Sequence, residues 1–243
     1  MLEKKVPSAR ARIEARLGTS VEKPELLRLA ARVYMAANDG PAAERALRRI
    51  MEVAPADDTA YTMLAQMYLG QGKLAGALAE FERIAARNVK DVPARTMSAI
   101  VVHSQGNVEE ARKRYEEILV IDANALVANN NLAWILAETG DDLDRALRLA
   151  QKAVQQRPDA AEFNHTVGWV YLKKQLPSLA MTPLERSIQL NPADPTTHYH
   201  LGMAQAAAGE QQKARTSLEK ALTLHSDFKG ADQARQLLAT LKG

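Results

Sequence analysis

Apolar residues recur along this chain at helical spacing. Ala9, Ile13 and Leu17 fall at i, i+4 and i+8. Ala234, Leu237, Leu238 and Leu241 fall at i, i+3, i+4 and i+7, with Asp232, Gln233, Arg235, Gln236 and Lys242 on the other face. Each pattern is one apolar stripe of an amphipathic helix. A longer period lies above this one. Ala9, Ala43, Ala77, Ala111, Ala146, Ala180 and Ala214 are separated by 34, 34, 34, 35, 34 and 34 residues. Small residues at Ala31, Ala65, Ala99, Ala133, Gly168 and Gly202 keep the same step, and so do Gly72, Gly106, Gly140 and, two repeats on, Gly209. Three registers on one period predict an all-α array of two-helix units rather than one globule.

Six such units fit, at 24–57, 58–91, 92–125, 126–160, 161–194 and 195–228, covering 205 of 243 residues. The small residue of the first helix and the alanine of the second belong where the helices cross, since a larger side chain would push the axes apart. The recurring glycine suits a left-handed helix end, and the prolines suit helix starts and stops. Residues 1–23 read as the second helix of an interrupted upstream unit, which favours a fragment of a longer repeat protein over a natural cap. Residues 229–243 read as a capping helix. Three departures stand out. The fourth unit has one extra residue around Asp141-Asp142-Leu143-Asp144; the third lacks the first-helix aromatics, with Arg95, Ser98 and Val102 in the diagnostic places; and Pro183 falls inside a second helix. An interior proline loses a hydrogen bond and costs about 3 kcal/mol, so a kink or irregular start is expected there.

The second unit carries Tyr61, Leu64-Ala65, Tyr68, Gly72, Ala77, Phe81 and Ile84, a pattern that resembles the tetratricopeptide repeat. The first unit (Ala31, Tyr34, Ala43, Leu47, Ile50, Pro55) and the fifth (Val167-Gly168, Tyr171, Ala180, Leu184, Pro192) are similar. The resemblance implies a right-handed superhelical α-solenoid. It also implies a concave face lined by first helices, with contacts at unit positions 2, 5, 6, 9, 12 and 13, and a protein or peptide partner held there. Of those 36 positions only Glu25, Arg28, Arg32, Glu138, Glu162 and Lys173 are charged. The candidate groove residues are Met63, Gln66, Met97, Ile100, His103, Asn130, Asn131, Trp134, His165, Trp169, Lys173, Tyr199, His200 and Met203. Leu69 and Thr166 share those positions. Trp and Tyr are enriched at binding hot spots, Met adapts to varied surfaces, and Asn can pair with a peptide backbone. Trp134 and Trp169 could instead serve packing alone. The cationic clamp and the asparagine ladder of other family members are both missing, so a neutral, apolar-containing segment is the expected ligand.

Composition agrees. Alanine, the best helix former, supplies 43 residues; aromatic residues are 5% and cysteine is absent. Disulfides and thiolate sites are thereby excluded. The net charge of 32 − 29 = +3 gives no argument for nucleic acid, and no apolar run is long enough to span a membrane. The start, Met1-Leu2-Glu3-Lys4-Lys5, is followed by no secretory core.

No catalytic motif is present, and neither an enzyme nor a cofactor is expected. His103, His165, His198, His200 and His225 read as isolated surface or groove side chains; His198 and His200, two apart, point to different helix faces. Asp141, Asp142 and Asp144 suit a helix N-cap better than a calcium loop. The order Asn130-Asn131-Leu132-Ala133-Trp134, Val167-Gly168-Trp169 and His198-Tyr199-His200-Leu201-Gly202 is similar to bacterial envelope repeat proteins of exopolysaccharide and PEP-CTERM sorting systems, over about residues 126–243. That implies a periplasmic or envelope setting for an exported parent protein, and a cytoplasmic one otherwise. The reading is a non-catalytic scaffold. Self-association through the N-terminal edge, or carbohydrate binding, is the alternative.

Overall fold

The computed structural model describes residues 6–17, 23–55 and 57–241. Among these there are fourteen helices and no strand: α1 Val6–Leu17, α2 Pro24–Ala36, α3 Gly40–Val53, α4 Asp58–Gly70, α5 Leu74–Arg87, α6 Val92–Ser104, α7 Val108–Ile121, α8 Leu126–Thr139, α9 Leu143–Gln156, α10 Ala161–Lys173, α11 Pro177–Leu190, α12 Pro195–Ala207, α13 Gln211–Leu224 and α14 Ala231–Thr240. The chain packs as two units, residues 1–114 and 115–243. In the first, α2 pairs with α3 and α4 with α5, while α1 packs on α2, α3 on α4 and α5 on α6. In the second, α8/α9, α10/α11 and α12/α13 are pairs, first helices also touch one another (α8–α10, α10–α12), and α14 closes on α13 and α12.

Small residues set the pair spacing. Ala31, Ala65, Ala99 and Ala133 are fully buried, as are the second-helix alanines from Ala43 to Ala214. In the fifth and sixth repeats even alanine is too large. A Cβ on Gly168 would lie 2.5 Å from Leu184 Cγ, and one on Gly202 2.7 Å from Leu218 Cγ.

Each first helix of repeats one, two, three, five and six ends with the same bond. An amide N–H beyond the helix donates to the carbonyl five residues back, as in Lys73 to Tyr68 (2.8 Å), Leu176 to Tyr171 (2.9 Å) and Glu210 to Gln205 (2.8 Å). This closure needs a left-handed residue just before it. Gly72, Gly106 and Gly209 supply it, with φ of 70°, 83° and 82°. In repeats one and five the same position is held by Asn38 and Gln175, at φ 55° and 60°. Repeat four differs: Gly140 is left-handed, and the extra residue lets Asp142 adopt φ 36° and cap α9 by accepting from the Arg145 amide.

Another bond holds the chain entering four first helices. Arg95, Asn129, Asn164 and His198 occupy one column. Each places a side-chain nitrogen 2.8–3.1 Å from the carbonyl six residues earlier, on Val89, Ala123, Pro158 and Pro192 respectively. Arg95 is therefore no defect of repeat three; it does the work of the asparagines.

The sequence predicts a kink or irregular start at Pro183; the helix starts six residues before it and is unbroken there. One helix runs from Pro177 to Leu190 with Pro183 inside it. The carbonyl that loses its donor is that of Leu179, a 54% exposed residue at the helix surface, where water can replace the missing bond.

Two stability outcomes follow from these contacts. Gln175→Gly should raise stability by up to about 1 kcal/mol in urea unfolding, because relief of left-handed strain exceeds the entropy that glycine adds to the unfolded chain. Gly168→Ala should lower it by about 1–3 kcal/mol through overpacking on Leu184, whereas Gly70→Ala, with nothing near its added Cβ, should not.

Candidate functional site

Unit two gathers five rings on one face of α8, α10 and α12. The Trp134 and Trp169 centroids are 5.8 Å apart and stacked at 25°, and Trp169 lies on His200 at 4.0 Å and 13°. His165 packs 5.5 Å from Trp134 and 4.9 Å from His200. Tyr199 tilts against His200 at 5.4 Å. The register explains the column: positions 5, 6 and 9 of successive first helices project beside one another when those helices are neighbours.

Polar contacts fix the rings. The Trp169 indole N–H donates to Glu138 Oε1 at 2.8 Å. The Lys173 ammonium stands 4.8 Å above the Trp169 ring and 3.9 Å from the same carboxylate. His165 Nε2 lies 2.8 Å from His200 Nδ1, so one imidazole donates to the other. Burial holds both histidines below the ordinary imidazole value, His200 farthest, with His165 and Lys173 adding to its shift; Asp194 opposes part of the effect on His165.

The isolated-histidine expectation is thus corrected for three of the five. His165 and His200 form a bonded pair, and His198 is buried with Nε2 on the Pro192 carbonyl. The sequence signal was a spacing of 35, position 5 of one repeat against position 6 of the next.

The remaining groove candidates divide. Trp134, Trp169, Lys173 and Met203 are half-buried beside the column, while Tyr199 is buried, with its ring 5.8 Å from Phe228. Asn130 is buried and donates to Asn131 Oδ1 at 3.1 Å; Asn131 donates to Tyr115 Oη at 2.9 Å. Burial pushes the Tyr115 phenol up to about 12, so it stays a neutral partner. In unit one, Met63 and Met97 pack against the apolar core, Ile100 and His103 are half-buried, and Gln66 is exposed.

Beside the rings lies an open cavity of about 460 Å³, lined by Trp169, Leu172, Lys173, Pro177, Met203 and Ala207. Leu172 and Ala207 stand at positions 12 and 13, where groove contacts were expected; Pro177, on a second helix, carried no such signal. Among the described residues no cluster of three His, Asp or Glu could hold a metal ion, and no helix is long and apolar enough to cross a membrane.

Hairpins of this period, small-residue crossings and left-handed closures define a tetratricopeptide repeat protein. Profiles described as Tetratricopeptide repeat match residues 28–93, 96–161, 130–195 and 197–227, so the chain belongs to that family. It is similar to human protein O-mannosyl-transferase TMTC1, 26% identical over 202 residues, covering 82% of this chain and 23% of that protein. The chain therefore spans under a quarter of that relative. Among solved structures it resembles a chain of the APC/C hetero-tetramer Cut9–Hcn1 (TM-score 0.75, 16% identity, 98% of this chain and 46% of that one). It also resembles YrrB, described as a TPR protein with an unusual peptide-binding site (TM-score 0.61, 20% identity, 80% and 100%).

Acid should loosen unit two. Between the lowered native values and the ordinary imidazole value of 6.5, the unfolded chain binds more protons than the native one. Stability is therefore greatest above 6.5 and falls as pH drops through that window. Doubly protonated rings would also face two donors across the 2.8 Å contact. In thermal melts at about pH 7.5 and about pH 5, His200→Phe should roughly halve the acid-induced loss seen in the parent protein.

Proposed function

We propose that unit two is a peptide-binding scaffold that takes a neutral, apolar-containing protein segment along α8, α10 and α12. The observation that carries this is the open cavity beside Trp169, with an apolar wall of Leu172 and Met203 and a single ammonium, Lys173, at its edge. A concave, mostly apolar pocket with few polar groups is the usual form of a ligand site, and half-buried tryptophans are typical anchors. Membership of the repeat family supports a protein partner, and the likeness to YrrB supports a peptide. The groove asparagines do not contribute backbone recognition in this reading, because Asn130 and Asn131 bond within the chain. The partner should instead insert one or two apolar side chains and leave Glu138 on the Trp169 indole.

Selection of displayed peptides on the whole chain tests this. Selected sequences should be rich in apolar residues and should bind Trp169→Ala or Met203→Ala at least about tenfold more weakly. Equal binding by both variants would sink the proposal. Glycan-array binding with no peptide selected would replace the peptide by a polysaccharide, the ligand class that the envelope resemblance of residues 126–243 supports.

A further inference from the structure

One column of the repeat carries a side chain where the backbone disfavours it. Just after the first helices, four repeats place Gly72, Gly106, Gly140 and Gly209 in the left-handed region, at φ of 70°, 83°, 77° and 82°. A Cβ added to any of the four would meet nothing within 4 Å, so glycine stands there for its backbone alone. Asn38, at φ 55°, is of a residue type enriched in this region. Gln175, at φ 60°, is not. The bond from the Leu176 amide to the Tyr171 carbonyl would close the helix equally well with glycine at 175. The fold therefore asks for no carboxamide at this position, and backbone strain that the fold does not require is characteristic of functional positions.

The side chain has a place in the open cavity beside Trp169. Trp169, Leu172 and Lys173 of α10 and Met203 and Ala207 of α12 wall that cavity, and Gln175 and Pro177 complete it. Its other polar groups are engaged. The Trp169 indole donates to Glu138 at 2.8 Å, and the Lys173 ammonium stands 3.9 Å from the same carboxylate. Gln175 is exposed, and its carboxamide makes no hydrogen bond among the described residues.

We propose that Gln175 is a specificity-determining residue of this cavity. Its carboxamide bonds a neutral polar side chain, a hydroxyl or a carboxamide, that the bound segment carries beside the apolar side chain inserted against Leu172 and Met203. This rests on the peptide reading of the cavity and adds the second side chain that the cavity recognises. A carboxamide offers a donor and an acceptor together, so it matches Ser, Thr, Asn or Gln, which offer both as well. Lys and Arg only donate, and the Lys173 ammonium repels them. A carboxylate is disfavoured because Glu138 already answers Lys173 and would repel a second anion. Glycine at 175 would thus separate two properties that usually fall together: it relieves the backbone and loses the contact.

The test selects displayed peptides on the whole chain and titrates the best binder, labelled with fluorescein, into the parent and its variants. Selected sequences should carry Ser, Thr, Asn or Gln beside the apolar anchor. Gln175→Met keeps the length of the side chain and the left-handed strain but removes both hydrogen-bonding groups, and it should weaken binding about three- to tenfold. Gln175→Gly should weaken binding as much while raising the urea midpoint, so the loss cannot come from unfolding. Alanine in place of the peptide's polar residue should cost the parent chain the same factor and cost Gln175→Met nothing further, since the two groups form one contact. Parent-like affinity in both Gln175 variants, with Trp169→Ala still at least about tenfold weaker, overturns the assignment of Gln175 and leaves the cavity as the peptide site. Selected peptides without the polar residue do the same. If no peptide is selected, or if Trp169→Ala and Met203→Ala both bind like the parent, the cavity reading falls and the role of Gln175 falls with it.

Discussion

Everything in this protein depends on how closely two helices can approach at one small residue. A helix pair with alanine or glycine at its crossing brings backbones together and exposes a broad apolar face on both sides, which only the next pair can cover. Gly168 on Leu184 and Gly202 on Leu218 are the tightest cases. The alanine-rich composition follows from that geometry, since fully buried alanines mark both sides of the crossing in repeats one to four and the second-helix side in repeats five and six. Stability is therefore local in each unit, summed from neighbour contacts and not drawn from one central core.

Because the geometry repeats, different side chains can meet the same need. Left-handed closure is supplied by glycine in some repeats and by Asn38 or Gln175 in others. The bond to the carbonyl six residues back is made by arginine, asparagine or histidine. This is why helix content, pairing and the crossing residues were legible from spacing, while Arg95 and His198 were not. Their chemistry varies, and only their position is constant. Pro183 leaves its helix unbroken for the opposite reason. The residue type was informative, but the carbonyl it orphans belongs to Leu179, an exposed residue, which the sequence period does not reveal.

The ring column of unit two was legible in part. Positions 5, 6 and 9 place Trp134, His165, Trp169 and His200 on one helix face, and that much follows from the register. The contact between His165 and His200 does not follow from it. It joins position 5 of one repeat to position 6 of the next, and depends on the offset between neighbouring first helices. The same offset decides that Asn131 reaches Tyr115 of the preceding second helix. A period tells which residues are equivalent; it does not tell which non-equivalent residues meet.

That offset has a chemical consequence. A face read as largely uncharged, with apolar and uncharged polar side chains open to a ligand, turns out to have most of its hydrogen-bonding capacity committed: His165 to His200, Asn130 to Asn131, Asn131 to Tyr115, and the Trp169 indole to Glu138. Buried polar groups that satisfy one another rigidify their surroundings, and two neutral imidazoles between tryptophans add area without adding charge. What this leaves for a partner is shape and apolar surface around Trp169, Leu172 and Met203, with Lys173 as the nearest cation. On the proposed binding face selectivity must come mainly from side-chain fit and not from backbone reading, because most of the groups able to read a backbone already bond within the chain, Asn130 Oδ1 excepted.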